Sequence, residues 1–124
     1  VGDGRMSDWL ENEIVQRGLQ SSIKLAGRHP IEKMPEFFHQ ADALLVSLKN
    51  EPIFAMTIPG KLQSYLMSGK PILAMLNGEG ADLIRNFGCG LVCNAGDSKS
   101  LANLVLELKY MSLQERNIMG KKAR

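Results

Sequence analysis

Pro71-Ile72-Leu73-Ala74-Met75-Leu76, running into Asn77-Gly78-Glu79-Gly80, is the stretch that decides the fold. An apolar run this short, with no charge in it, reads as a strand buried on both faces, the habit of parallel sheets covered by helices. The two glycines around a glutamate mark a tight turn, and the residues after them read as a helix ending near Phe87-Gly88. Upstream, Ala43 to Leu48 (Ala-Leu-Leu-Val-Ser-Leu) is nearly continuous in its hydrophobicity and reads as a second strand buried on both faces. Downstream, Gly90 to Cys93 reads as a third. Short strands alternating with helices mean βαβ units and a parallel sheet, with right-handed crossovers. The expected fold is a Rossmann-like three-layer α/β/α domain, and residues 1–124 read as one domain.

The remaining elements follow from periodicity and caps. Trp9, Leu10, Ile14 and Val15 give Ser7 to Arg17 the spacing of an amphipathic helix, with Ser7 as its cap and Gly18 as its stop. Ser22 to Ala26 reads as a short strand. Met34 to Gln40 reads as a short helix with Phe37 and Phe38 turned inward. A loop from Lys49 to about Ile58 precedes a helix opened by Pro59, running through Ser68 and stopped by Gly69. Asp97 or Ser98 caps a helix to Tyr110, and Ser112 with Glu115 forms a capping box for the last helix.

Composition excludes several function classes. With 44% hydrophobic and 23% charged residues the chain is globular rather than disordered. A net charge of +2 is too mild to argue for nucleic acid, and the cluster Lys121-Lys122 with Arg124 ends a helix, where cations suit the dipole. No apolar run approaches the roughly 18 residues of a membrane helix, and no signal peptide is visible. Val1 leads straight into Gly2-Asp3-Gly4, a turn that usually follows a strand, so the sequence reads as a piece of a longer α/β protein. Cys89 and Cys93, four apart in a strand, would sit about 13 Å apart on one face, too far for a disulfide. His29 and His39 are not at ligand spacing from them, so no metal site is read. Buried reduced thiols suit a cytoplasmic protein.

Ligands of parallel α/β sheets bind at the carboxyl ends of the strands, which directs attention to loops 1–5, 27–33, 49–60 and 77–81. Glu51-Pro52-Ile53-Phe54-Ala55-Met56-Thr57-Ile58-Pro59-Gly60-Lys61 ends at a helix start, where free N–H groups and the dipole suit a phosphate or diphosphate. Lys61 stands in the first turn against that dipole, which a nearby anion explains better than the helix does. Gly78-Glu79-Gly80 is a second such loop, and its glutamate is equally readable as a helix-start carboxylate. Arg28 after Gly27 carries the same ambiguity. Gly2-Asp3-Gly4 begins like a dinucleotide fingerprint, but the third glycine position is Ser7. No Ser/His/Asp or Cys/His arrangement indicates a nucleophile, so no catalytic residue is assigned.

Gly2-Asp3-Gly4, Gly27, Ala41-Asp42, Pro59-Gly60-Lys61 with Tyr65, Gly69-Lys70-Pro71, Gly78-Glu79, Gly88 through Val92 and the ending Met119-Gly120-Lys121-Lys122-Ala123-Arg124 follow one another in an ordered set. That set resembles family 4 glycosyltransferases, above all bacterial enzymes that build O-antigen and capsular polysaccharides. The resemblance spans essentially the whole chain. It implies the nucleotide-sugar-binding C-terminal half of a two-domain GT-B enzyme, whose N-terminal domain in the same polypeptide supplies most of the acceptor site. It further implies transfer with retention, no cofactor and no metal, the donor being a nucleotide-diphosphate sugar. The acceptor would be lipid-linked at the inner face of the cytoplasmic membrane, where a cytoplasmic enzyme could sit peripherally. By position, Gly4, Gly27 and Arg28 would lie near the nucleotide, and Thr57, Ile58, Pro59, Gly60, Lys61 and Leu62 near the diphosphate and sugar, with Ser64 and Glu79 completing the site.

One departure stands out. Many relatives carry two glutamates, the second binding the ribose from the helix after this loop; here that position falls on Ser64, and the residue eight before it is Met56. Ser64 retains a hydroxyl for a ribose hydrogen bond. Three other readings stay open on the residues: a sugar-nucleotide 2-epimerase of the same fold, a non-catalytic nucleotide-binding or interaction module, and a nicotinamide-dependent enzyme, which the break at Ser7 disfavours.

Overall fold

The computed structural model describes residues 7–27, 29–47 and 60–123. The backbone divides into two compact units, Val1–Met34 and Pro35–Arg124. No Pro/Gly-rich linker marks that boundary in the sequence.

In the first unit, helix α1 spans Ser7–Gln16. The turn after it is closed by two reversed hydrogen bonds, from Leu19 N–H to the Ile14 carbonyl at 2.9 Å and from Gly18 N–H to the Val15 carbonyl at 3.1 Å. This is the Schellman arrangement that a glycine after a helix permits. Arg17 pairs with Glu13 one turn back at 2.9 Å. Of the apolar stripe, Ile14 is buried while Trp9 and Val15 stay exposed. The strand expected at Ser22 to Ala26 does not form; residues 20–22 are turn and 23–26 irregular. Its alternating Ile23 and Leu25 are 42% and 46% exposed. A strand is held by a ladder and a covered face, and period-2 spacing over so few residues supplies neither. A single 3-10 turn, Ile31–Lys33, precedes the second helix.

The second unit holds the sheet. Helix α2 (Met34–Gln40) has Phe37 and Phe38 half-buried, and the Phe38 ring meets Tyr65 edge-on with centroids 5.5 Å apart. Then follow β1 (Leu44–Ser47), α3 (Gly60–Met67), β2 (Ile72–Met75), α4 (Glu79–Phe87), β3 (Gly90–Cys93), α5 (Ser98–Tyr110) and α6 (Leu113–Lys121). The three strands are parallel in the order β1-β2-β3, with Leu44 opposite Ile72 and Ile72 opposite Gly90. On one face Val46, Ile72 and Ala74 pack with Leu62 of α3 and with Ala81 and Ile84 of α4. Leu62, Ile72, Leu76 and Ile84 are fully buried, each contributing about 1.5–3 kcal/mol. On the other face Leu73 and Cys93 are buried, and α5 lies against β2 and β3. These are the three layers expected of a Rossmann-like domain.

The covering is uneven, which corrects the reading of the first strand. Leu44 and Val46 are buried, but Leu45 is 52% exposed and Ser47 is exposed as well. Helix α5 packs against β2 and β3, and Leu45 and Ser47 leave that face of β1 exposed. Leu48 lies outside the described residues.

Local signals at the helix ends held. Asp97 caps α5 by accepting the Ser100 N–H at 3.1 Å, and Ser112 with Glu115 closes the capping box of α6. At the amino edge of the sheet, α6 meets the turn between α3 and β2 backbone to backbone: a Cβ placed on the buried Gly120 would lie 2.1 Å from the Gly69 carbonyl oxygen. An alanine inside an ordinary helix gains about 0.5–1 kcal/mol over glycine. Here the sign should reverse. Gly120→Ala is expected to lower unfolding free energy by about 2 kcal/mol or more, through overpacking, in urea denaturation followed by circular dichroism; a gain in stability would show that α6 does not dock this closely.

Candidate functional site

Parallel pairing places the chemistry. Each strand of a parallel set ends at the same edge, and the helix that follows it starts there. The N-termini of α3, α4 and α5 therefore gather at the carboxyl edge of β1, β2 and β3.

These three helix starts differ. That of α5 is closed by its own carboxylate: Asp97 accepts the Ser100 hydroxyl at 2.7 Å and the Ser100 N–H at 3.1 Å. The hydroxyl bond first, then the amide, holds the Asp97 carboxyl below its usual range. At α4 the capping position is Gly78, with φ 83° and ψ −144°, and no side chain caps it. Only glycine occupies that conformation comfortably. The first N–H groups of α4 thus have no side-chain cap at Gly78, and Glu79, the first residue of the helix, is exposed beside them.

At α3, Gly60 is the first helical residue. Lys61 and Ser64 are both exposed, three residues apart, and so share a helix face. Leu62 points the other way, fully buried in the core. Its side chain is thereby excluded from any ligand contact, and only its backbone could take part. Gly27 belongs to the first unit, with φ 76° and open space around it. Gly4, Arg28, Thr57, Ile58 and Pro59 lie outside the described residues.

Both cysteines are free and buried, as read from the sequence. They occupy different surroundings, the Cys89 sulfur 3.9 Å from the Ile84 carbonyl and that of Cys93 3.8 Å from the Asp97 carbonyl. Burial pushes both thiols up, with the Asp97 charge adding to the rise at Cys93, so neither is a ready nucleophile.

Two features escaped the sequence reading. A pocket of about 380 Å³ lies beside β3, lined by Arg85, Asn94, Asp97, Ser100 and Asn103 among others. The other is Asn77, whose side-chain oxygen accepts the Ala95 N–H at 3.1 Å across 18 residues of sequence. A polar residue between an apolar strand and Gly-Glu-Gly was the available signal.

The family model for glycosyl transferases group 1 matches residues 1–124, the whole chain. The chain belongs to that family. Comparison with curated proteins gave no significant match. A group 1 glycosyltransferase, of the GT-B superfamily, brings a sugar donor and an acceptor together. In parallel α/β sheets generally, ligands bind at the carboxyl ends of the strands. Among the described residues no helix is long and apolar enough to cross a membrane.

Asp97 gives a pH signature on this edge. Its lowered folded value means that its stabilisation is present above the unfolded value, near 3.8, and is lost as pH falls through the folded one. Asp97→Asn should therefore melt below the parent at pH 7, and the gap should narrow as pH drops below about 3.8. A gap that stays constant with pH would show that the carboxylate charge does not close α5.

Proposed function

We propose that this chain binds a nucleotide-diphosphate sugar as the C-terminal half of a family 4-like GT-B glycosyltransferase, a hexosyl- or N-acetylhexosaminyltransferase of surface-polysaccharide assembly. The observation that carries the reading is the placement of Lys61. It is an exposed cation in the first turn of α3, where the helix dipole disfavours it, and Ser64 stands one turn further on the same face. A diphosphate at that helix start would be held by backbone N–H groups and by the ammonium, with the Ser64 hydroxyl directed to the ribose. Glu79, at the uncapped start of α4 on the same edge, would face the sugar.

In this reading the chemistry needs no metal. Charge develops on the leaving diphosphate as the glycosidic bond breaks, and preorganised N–H dipoles with Lys61 stabilise it. Transfer retains the anomeric configuration. The acceptor, lipid-linked at the cytoplasmic membrane surface, meets the donor in the cleft against the N-terminal half, and the enzyme works in the cytoplasm or peripherally on that membrane.

Lys61→Glu separates ligand from fold, because the two effects have opposite signs. A glutamate in the first turn suits the dipole and should raise stability by about 0.3–1 kcal/mol. The same charge opposes a diphosphate and should weaken its binding about tenfold or more, with Lys61→Ala in between. Isothermal titration of UDP, GDP, CDP and dTDP, beside thermal melts of the three proteins, reads both. A Lys61→Glu variant that binds as tightly as the parent places the diphosphate elsewhere.

A further inference from the structure

Asn77 occupies a position in the ladder that a backbone carbonyl would ordinarily fill. The parallel register of β2 and β3 continues past β2, with the Leu76 N–H donating to the Cys93 carbonyl at 3.1 Å. In a parallel ladder the next rung takes the N–H two residues further along the partner, that of Ala95, to the carbonyl of the same Leu76. Ala95 N–H instead goes to the Asn77 side-chain oxygen at 3.1 Å. The side chain thus extends the pairing while the backbone of β2 leaves it.

That substitution has a consequence on each side. The β2 chain is released early enough to turn at Gly78 and start α4 at Glu79. On the β3 side, Ala95 is buried and stands within a tight turn, in which Asp97 N–H donates to the Asn94 carbonyl at 3.2 Å and Gly96 has φ 79°. Asp97 at the end of that turn caps α5. One carboxamide therefore ties the start of α4 to the start of α5.

We infer that Asn77 is a positioning residue: its carboxamide fixes the Gly78-Glu79 turn against the β3–α5 turn and so sets where Glu79 stands on the carboxyl edge. The consequence for ligand rests on the donor-site reading above; the positioning itself does not. Asn77 touches no ligand in this account and acts through the turn.

The experiment compares the parent with Asn77→Leu, close in size but with no acceptor, and Asn77→Asp, which keeps one. Amide exchange is followed at Ala95, which reports the brace, and at Asp82, whose N–H bonds the Gly78 carbonyl at 3.0 Å and reports the first turn of α4. Loss of the bond to Ala95 predicts that Asn77→Leu speeds exchange about threefold to tenfold at both amides, and that Asn77→Asp restores both. UDP, titrated below the melting temperature of every variant, should bind Asn77→Leu about threefold to tenfold more weakly and Asn77→Asp nearly as tightly as the parent. A purely structural role would lower the melting temperature and leave the affinity of the folded protein unchanged. Faster exchange at Ala95 with none at Asp82 would overturn the inference. A parent that binds no nucleoside diphosphate would count against the donor-site reading, and exchange at Asp82 would still decide the brace. Should Asn77→Leu fail to fold, Asn77→Ser, whose hydroxyl is too short to reach Ala95, carries the same comparison.

Discussion

The parallel pairing of β2 with both of its neighbours is the constraint from which the rest of the sheet unit follows. Ile72 to Met75 bond to Leu44 to Ser47 on one side and to Gly90 to Cys93 on the other. Strands that run the same way cannot be joined by hairpins, so each connection must return across the sheet. The return is made by α3 and α4, whose Leu62, Ala81 and Ile84 fill the face that Val46, Ile72 and Ala74 present. The same constraint gives the sheet two unlike edges. Helix ends and the α6 contact through Gly120 lie at the amino edge, and helix starts lie at the carboxyl edge.

At the carboxyl edge the electrostatics differ from helix to helix. Helix α5 is closed by Asp97, which leaves its N–H groups little to offer an anion. At α4 no side chain caps the start, and at α3 an exposed lysine stands where the dipole would repel it. That contrast is what singles out Lys61, Ser64 and Glu79 from the other polar residues of the surface, and it is consistent with a family whose members must hold a sugar donor.

How much of this was legible in the sequence depends on the range of the interactions. Elements set by local rules were readable: the glycine stop after α4, the Asp97 cap, the Ser112 box and the strand Gly90–Cys93 all follow from neighbours within a few residues. The strand read at Ser22 to Ala26 failed because its two apolar residues gain no covered face. The apolar run at Ala43 to Leu48 promised two buried faces, yet of its described residues Leu44 and Val46 are buried while Leu45 and Ser47, on the face where α5 packs against β2 and β3, are exposed. The Asn77 brace and the Gly120 contact join residues 18 and about 50 positions apart, beyond what periodicity or capping rules register. Of the candidate residues, Lys61, Ser64 and Glu79, proposed from their places at helix starts, are exposed, whereas the side chain of Leu62 belongs to the core.

The central claim is that the ligand edge is the carboxyl edge, at the starts of α3 and α4. Amide chemical-shift mapping of the 15N-labelled protein during titration with a nucleoside diphosphate tests it most directly. The account predicts the largest changes at Gly60 to Ser64 and at Gly78 to Gly80, with little change at Gly69, Gly88 or Gly120. Changes centred on those amino-edge residues, or on the pocket of Arg85, Asn94 and Asn103 beside β3, would contradict it.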